Sequence, residues 1–132
     1  MILFLRFLFI VIIASMLWVT SWAGLHQSLG AFARSATFRD PWVIATLFDA
    51  YWAFVTFYVW VAWKEQSLTA RVLWFVAIIL LGNLAMSAYM LAQLFGVPAA
   101  GPLAEVFSRR QPGKVALPAA LTAVSIIIYL LA

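Results

Sequence analysis

Four apolar runs, each bounded by turn-forming or charged residues, set the pattern of this chain, at about residues 7–25, 41–63, 72–95 and 115–132. A hydrocarbon core of roughly 30 Å needs about 20 residues of helix at 1.5 Å each, so runs of this length and apolarity read as membrane-crossing helices. The predicted fold is an all-α membrane protein: an antiparallel bundle of four transmembrane helices, forming a single polytopic domain over residues 1–132. The boundaries carry helix signals. Asp40-Pro41 opens the second run as an N-cap followed by proline at the first helical position, where the missing N–H costs nothing. The turn Lys64-Glu65-Gln66-Ser67-Leu68 is short, which makes the second and third runs antiparallel neighbours. Gly96-Val97-Pro98 breaks the third run. In the loop beyond it, Pro102 starts a segment with Leu103, Val106 and Phe107 on one face and Arg109-Arg110 after it. That spacing predicts a short interfacial helix in the third loop, with an ordinary ordered loop as the alternative.

The first run follows Arg6 and ends in Ser21-Trp22-Ala23 before Gly24, a small-x-small pattern shared with secretory signals. Its length favours a retained anchor helix. Composition agrees with a bilayer as solvent: 67% of the 132 residues are hydrophobic and 9% charged, and mean hydropathy is +1.09. A soluble chain this short could not hide that much apolar surface in its own core. Tryptophans fit the layout. Trp18, Trp22 and Trp42 fall at one interface and Trp60, Trp63 and Trp74 at the other, with only Trp52 deep.

The net charge of +4 comes from eight Lys and Arg against four acids. The basic residues sit at span ends and in loops, where they serve topology and lipid headgroups, not nucleic acid. With four spans, Arg34, Arg39, Arg109, Arg110 and Lys114 share a side, opposite Arg6, Lys64 and Arg71. This favours an integral protein of a bacterial inner membrane with both termini outside the cytoplasm, although Arg6 ahead of a signal-like core pulls the other way. With no cysteine and one histidine, disulfides, thiol chemistry and multi-histidine metal or haem sites inside one chain are excluded, and no metal site is expected.

One residue breaks the apolar pattern most sharply. Asp49 lies well inside the second run, and an ionisable group at that depth normally faces a bundle interior or a wet cavity. On the same helix, Ala45, Thr46, Asp49, Trp52, Ala53 and Thr56 recur at helical spacing as a small-and-polar stripe. Folding the second run against the third about Gln66 brings Asp49 level with Asn83, and Thr46 level with Ser87. Ser15 and Ser125 fall near the same depth. The expectation is a buried polar layer of Asp49, Asn83, Ser87, Thr46 and Ser15, with Ser125 at its edge, which either fixes helix packing or couples protons or cations. Tyr51, Trp52 and Trp60 offer aromatic faces to a cation. His26 reads as a solvated loop histidine, with an axial ligand to a pigment as the weaker alternative. Lys64-Glu65 reads as an interfacial charge pair. No nucleophile–base pair, phosphate loop or paired carboxylates occur, so no catalytic residues are assigned and no enzyme is expected.

The motif P-W-x-x-A-T-L-x-D-x-Y, formed by Pro41, Trp42, Ala45, Thr46, Leu47, Asp49 and Tyr51, and V-W-V-A-W-K-E over residues 59–65, resemble a family of small integral membrane proteins of unknown function. That family occurs in plants and bacteria, often with a tyrosine where this chain has Trp63. The resemblance covers the second and third runs well and the first loosely. It implies a three-span core with the last run as an extension, and it brings no activity.

The functional expectation is therefore a non-catalytic accessory or scaffolding subunit, packing against itself or other membrane subunits of a larger complex, such as a pigment or redox complex. The alternative is a small oligomeric proton- or cation-coupled transporter using Asp49. Membrane lipids are the expected ligands, and a pigment would be bound only through a larger complex.

Overall fold

Asp40 acts as the sequence requires. Its carboxylate accepts the Trp42 N–H at 2.8 Å, Pro41 takes the first helical position, and α3 runs uninterrupted over Pro41–Lys64. The computed structural model describes all 132 residues as seven α-helices with no strand. α1 spans Ile2–His26. α2 (Leu29–Arg34) and a 3-10 turn (Thr37–Arg39) link it to α3. α1 and α3 are the two helices long and apolar enough to cross a membrane, at roughly 36 Å each. The third loop does contain a short helix, α6, over Leu103–Ser108.

The third apolar run departs from the sequence reading. It is not one span but two antiparallel helices, α4 (Leu68–Leu81) and α5 (Asn83–Phe95), reversing at Gly82. Across this hairpin the rings of Trp74 and Tyr89 stand edge-to-face at 4.8 Å. Gly82 makes the reversal possible. Its φ of +53° with ψ of −124° is open to glycine alone at low cost, and a Cβ there would lie 2.6 Å from Cζ of Phe54. At roughly 20 Å each, α4 and α5 are too short to cross a bilayer.

α7 (Ala116–Leu131) runs parallel to α4. Thr122 Oγ1 donates to the Leu73 carbonyl at 3.1 Å, and Tyr129 Oη to that of Leu80 at 2.8 Å, one constant offset along both helices. The carbonyl of Ala132 ends beside Gly30 on α2. Met1 and Ala132 therefore lie at opposite ends of the bundle, which corrects the expectation that both termini share a side. The cause is the hairpin: turning back at Gly82 brings the start of α1, the turn after α3 and the third loop to one end. Six of the eight basic residues, Arg6, Lys64, Arg71, Arg109, Arg110 and Lys114, belong to that basic end, and only Arg34 and Arg39 to the other.

The core sits near the basic end. Val61, Trp74, Ala77, Ile78, Ala85 and Tyr89 form one buried cluster, and Ile2, Leu94, Val97 and Val106 a second. Trp74, expected in an interfacial belt, is instead a core residue. Away from this core α1 and α3 are bare. Ile2 is the one buried residue of α1, and Val61 and Lys64 are the buried residues of α3.

Candidate functional site

The polar chemistry of the molecule collects where α3 ends. Helix α3 stops at Glu65, whose extended backbone pairs with Gln111 of the third loop: the Gln111 N–H donates to the Lys64 carbonyl at 2.8 Å, and the Gln66 N–H to the Gln111 carbonyl at 3.2 Å. This bridge buries both side chains of the Lys64-Glu65 pair. Lys64 is 0% and Glu65 3% exposed, so they do not form the interfacial charge pair the sequence suggested. They do not pair with each other either. Lys64 Nζ donates to the Val106 carbonyl and stands 5.2 Å from the Trp60 ring centroid. Glu65 Oε1 accepts the hydroxyl of Tyr89 at 3.0 Å, while Glu65 Oε2 is buried with no partner.

Around this centre, Arg71 Nε donates to the Glu65 carbonyl at 2.7 Å and Gln111 Nε2 to Gln93 Oε1 at 2.7 Å. Burial pushes the Glu65 carboxyl above the usual carboxylate range. The Tyr89 hydrogen bond and the charges of Lys64 and Arg71 pull the other way without cancelling it. The arrangement ties α3, α4, α5 and the third loop together through one proton-binding group. Arg6 completes the basic end: its Nη2 donates to the Leu94 and Val97 carbonyls at 3.0 and 2.8 Å, and Arg109 Nη1 donates to that of Gly96 at 2.6 Å. Two guanidinium groups thus satisfy carbonyls left open at the C-terminus of α5, where positive charge also meets the negative end of the helix dipole.

Beside this node lies a cavity of about 650 Å³. Phe9 of α1, Phe57 and Trp60 of α3 and Phe107 of α6 form its walls. Trp60 is held in place by its Nε1–H, which donates to the Phe107 carbonyl at 3.1 Å, and by edge-to-face packing on Tyr89 at 5.5 Å. α5 contributes Asn83 and Ser87, with Met86 and Met90 between and below them.

The expected polar layer is not assembled. Asn83 and Ser87 meet in the cavity, but Asp49, Thr46 and Ser15 are exposed on other surfaces. Thr46 donates to the Trp42 carbonyl at 2.8 Å and Ser15 to that of Ile12 at 2.9 Å, so both hydroxyls are spent on their own helices. Ser125 is buried, yet it donates to the Thr122 carbonyl at the α4–α7 contact. The equal-depth arithmetic holds only for the first half of the hairpin, where Tyr58 meets Phe75 at 5.0 Å between ring centroids. Beyond Gly82 the chain runs back and the register no longer applies. The stripe on α3 does exist as a surface: Ala45, Thr46, Asp49, Trp52, Ala53 and Thr56 are all exposed.

Of the aromatic residues proposed to face a cation, Trp60 does so, toward Lys64. Tyr51 packs on Phe54 at 5.4 Å, and Trp52 lies 65% exposed beside a shallow apolar groove of α3. His26 closes α1, its Nδ1–H donating to the Trp22 carbonyl at 2.8 Å. Sequence reasoning named Glu65 only as half of a charge pair, and it missed Tyr89 and Gln111. The signal available was the i, i+4 spacing of Tyr89 and Gln93, two polar-tipped residues on one face of α5.

Residues 1–111 match the family described as protein of unknown function (DUF1475), and the chain belongs to it. The match ends before α7 begins. No curated protein and no solved structure matches the chain.

Proposed function

We propose that this member of the family is a small integral membrane protein whose task is assembly within the bilayer, as a non-catalytic subunit that pairs with a second copy of itself through α3. The observation that carries this reading is the outward position of Asp49. A carboxyl in the middle of an apolar helix is costly against lipid, and no side chain of its own chain hydrogen-bonds to it. Ala45, Thr46, Ala53 and Thr56 surround it on the same face, and small and hydroxyl residues are what allow two helices to approach closely in lipid. A symmetric pairing along this face removes the carboxyl from lipid and uses one patch twice. Because Asp49 lies outside the cavity, assembly is better supported than transport coupled to this group.

In the membrane, α1 and α3 cross fully and α7 reaches most of the way at roughly 24 Å. The α4–α5 hairpin enters from the basic end. A hairpin of this kind is tolerated at membrane depth when protein covers it, and here Ala70, Trp74, Ala77 and Ile78 of α4 and Ala85 and Tyr89 of α5 are buried. The concentration of Lys and Arg at the basic end supports a cytoplasmic position for that end and for the N-terminus with it.

The chain has no native cysteine, so a single engineered one reports its own contacts. In native membranes, Ala53→Cys and Ala45→Cys are expected to give disulfide-linked dimers on mild oxidation, and Leu130→Cys on the outer end of α7 is not. Dimers from Leu130→Cys but from neither stripe position would remove the stripe as the contact.

A further inference from the structure

The cavity between α1, α3, α5 and α6 is a different surface from the stripe, and it carries its own chemistry. None of the residues lining it is ionisable, so a charged occupant would have no counter-charge in a low-dielectric site. Its walls are aromatic and thioether groups, with two polar side chains on adjacent turns of α5. Ser87 is 3% exposed and its hydroxyl hydrogen-bonds to nothing, although it lines the cavity. The Ser87 hydroxyl opens onto an otherwise largely apolar cavity, where it is free to hydrogen-bond to a ligand atom and fix its orientation. The exposed amide of Asn83, one turn earlier on α5, makes no hydrogen bond within the chain either. Each of the two offers both a donor and an acceptor.

From this geometry we infer that the cavity binds a neutral, lipid-soluble, planar ring compound bearing a carbonyl oxygen, of the quinone class. The ring lies against Trp60 and Phe57, and the oxygen accepts from Ser87 and Asn83. The cavity's volume falls within the range of small-molecule sites, about 300 to 1,000 Å³. Met86 and Met90 adapt to the ring edge, where thioether sulfur contacts aromatic groups favourably. A lipid acyl chain would fill the same space but leave Ser87 unpaired.

The test uses the full chain in nanodiscs and 2-methyl-1,4-naphthoquinone as the probe, with binding measured by equilibrium dialysis against empty nanodiscs. Saturable binding with one site per chain is expected, quenching tryptophan fluorescence less in Trp60→Phe than in the parent. Ser87→Ala keeps the space and removes the hydroxyl, and it is expected to weaken binding about tenfold, as is Asn83→Leu. Ser87→Leu removes the hydroxyl and projects a larger apolar side chain into the cavity, and should weaken binding more than Ser87→Ala. 2-Methylnaphthalene, which has the ring without the oxygens, should compete at least about tenfold more weakly. Uptake no different from empty nanodiscs overturns the inference. So does equal competition by 2-methylnaphthalene, or unchanged affinity in both Ser87→Ala and Asn83→Leu. Should Ser87→Leu fail to fold, the isosteric variant and the two-compound comparison still decide.

Discussion

The Tyr89 hydroxyl donates to Glu65 Oε1 at 3.0 Å, across 24 positions of sequence. Were the chain from Leu68 to Phe95 one straight helix, Tyr89 would stand roughly 32 Å along its axis from Leu68, out of reach of Glu65. This single bond therefore records the reversal at Gly82, and it does so with a buried carboxyl whose other oxygen has no partner. Removing the donor leaves both oxygens unpaired. Tyr89→Phe is expected to lower stability by about 1–3 kcal/mol, read as a lower midpoint of detergent or thermal unfolding.

The same carboxyl gives the fold a pH dependence. Its pKa is raised in the folded chain, chiefly by burial, so the folded state holds a proton that the unfolded state has released. Stability from this group is full below the ordinary carboxylate range and falls as pH rises from that range through the folded value. Unfolding midpoints should decrease across that window in the parent. In Glu65→Gln, which is neutral at every pH and still accepts from Tyr89, the slope should flatten.

Gly82 is the position where substitution should act on backbone and packing together. Gly82→Ala places a Cβ against Phe54 and forces an L residue to a positive φ with ψ far from the left-handed helical region. The expected loss is about 2 kcal/mol or more. Combining it with Phe54→Leu should recover the steric part alone, so a partial rescue of the unfolding midpoint is the predicted outcome.

How much of this was legible in the sequence follows from the range of the forces involved. The caps at Asp40 and Ser67, the proline start of α3 and the short helix after Pro102 are local, and the residues themselves specify them. The reversal at Gly82 was not legible, because a glycine inside an apolar run is tolerated in straight transmembrane helices as well. Missing it set Asn83 and Ser87 beside Asp49, from which the reversal separates them, and it placed the basic residues of the third loop at the wrong end. Glu65 looked exposed for a related reason: its burial depends on Gln111 and Tyr89, 46 and 24 positions away along the chain.

Arg6 illustrates the same point from the other terminus. Ahead of an apolar run it has the look of a targeting charge, yet it bridges 88 and 91 positions to the carbonyls of Leu94 and Val97. Arg6→Leu should cost about 1.5–3 kcal/mol, the range for hydrogen bonds to charged groups. Arg6→Lys should recover only part of it, since an ammonium can donate to both carbonyls but lacks the planar guanidinium that lies 4.7 Å over the Phe95 ring. Unfolding of the purified variants ranks the three.

Because the chain turns back at Gly82, the turn after α3 and the third loop lie at one end of the bundle. Single cysteines at Gln66 and Ser108, probed with a membrane-impermeant maleimide in intact cells and in inverted vesicles, test it directly. Both positions are expected to react from the cytoplasmic side, while a cysteine at Ser28 reacts from the opposite side. Reaction of Gln66→Cys and Ser108→Cys from opposite sides would establish a straight third span and contradict it.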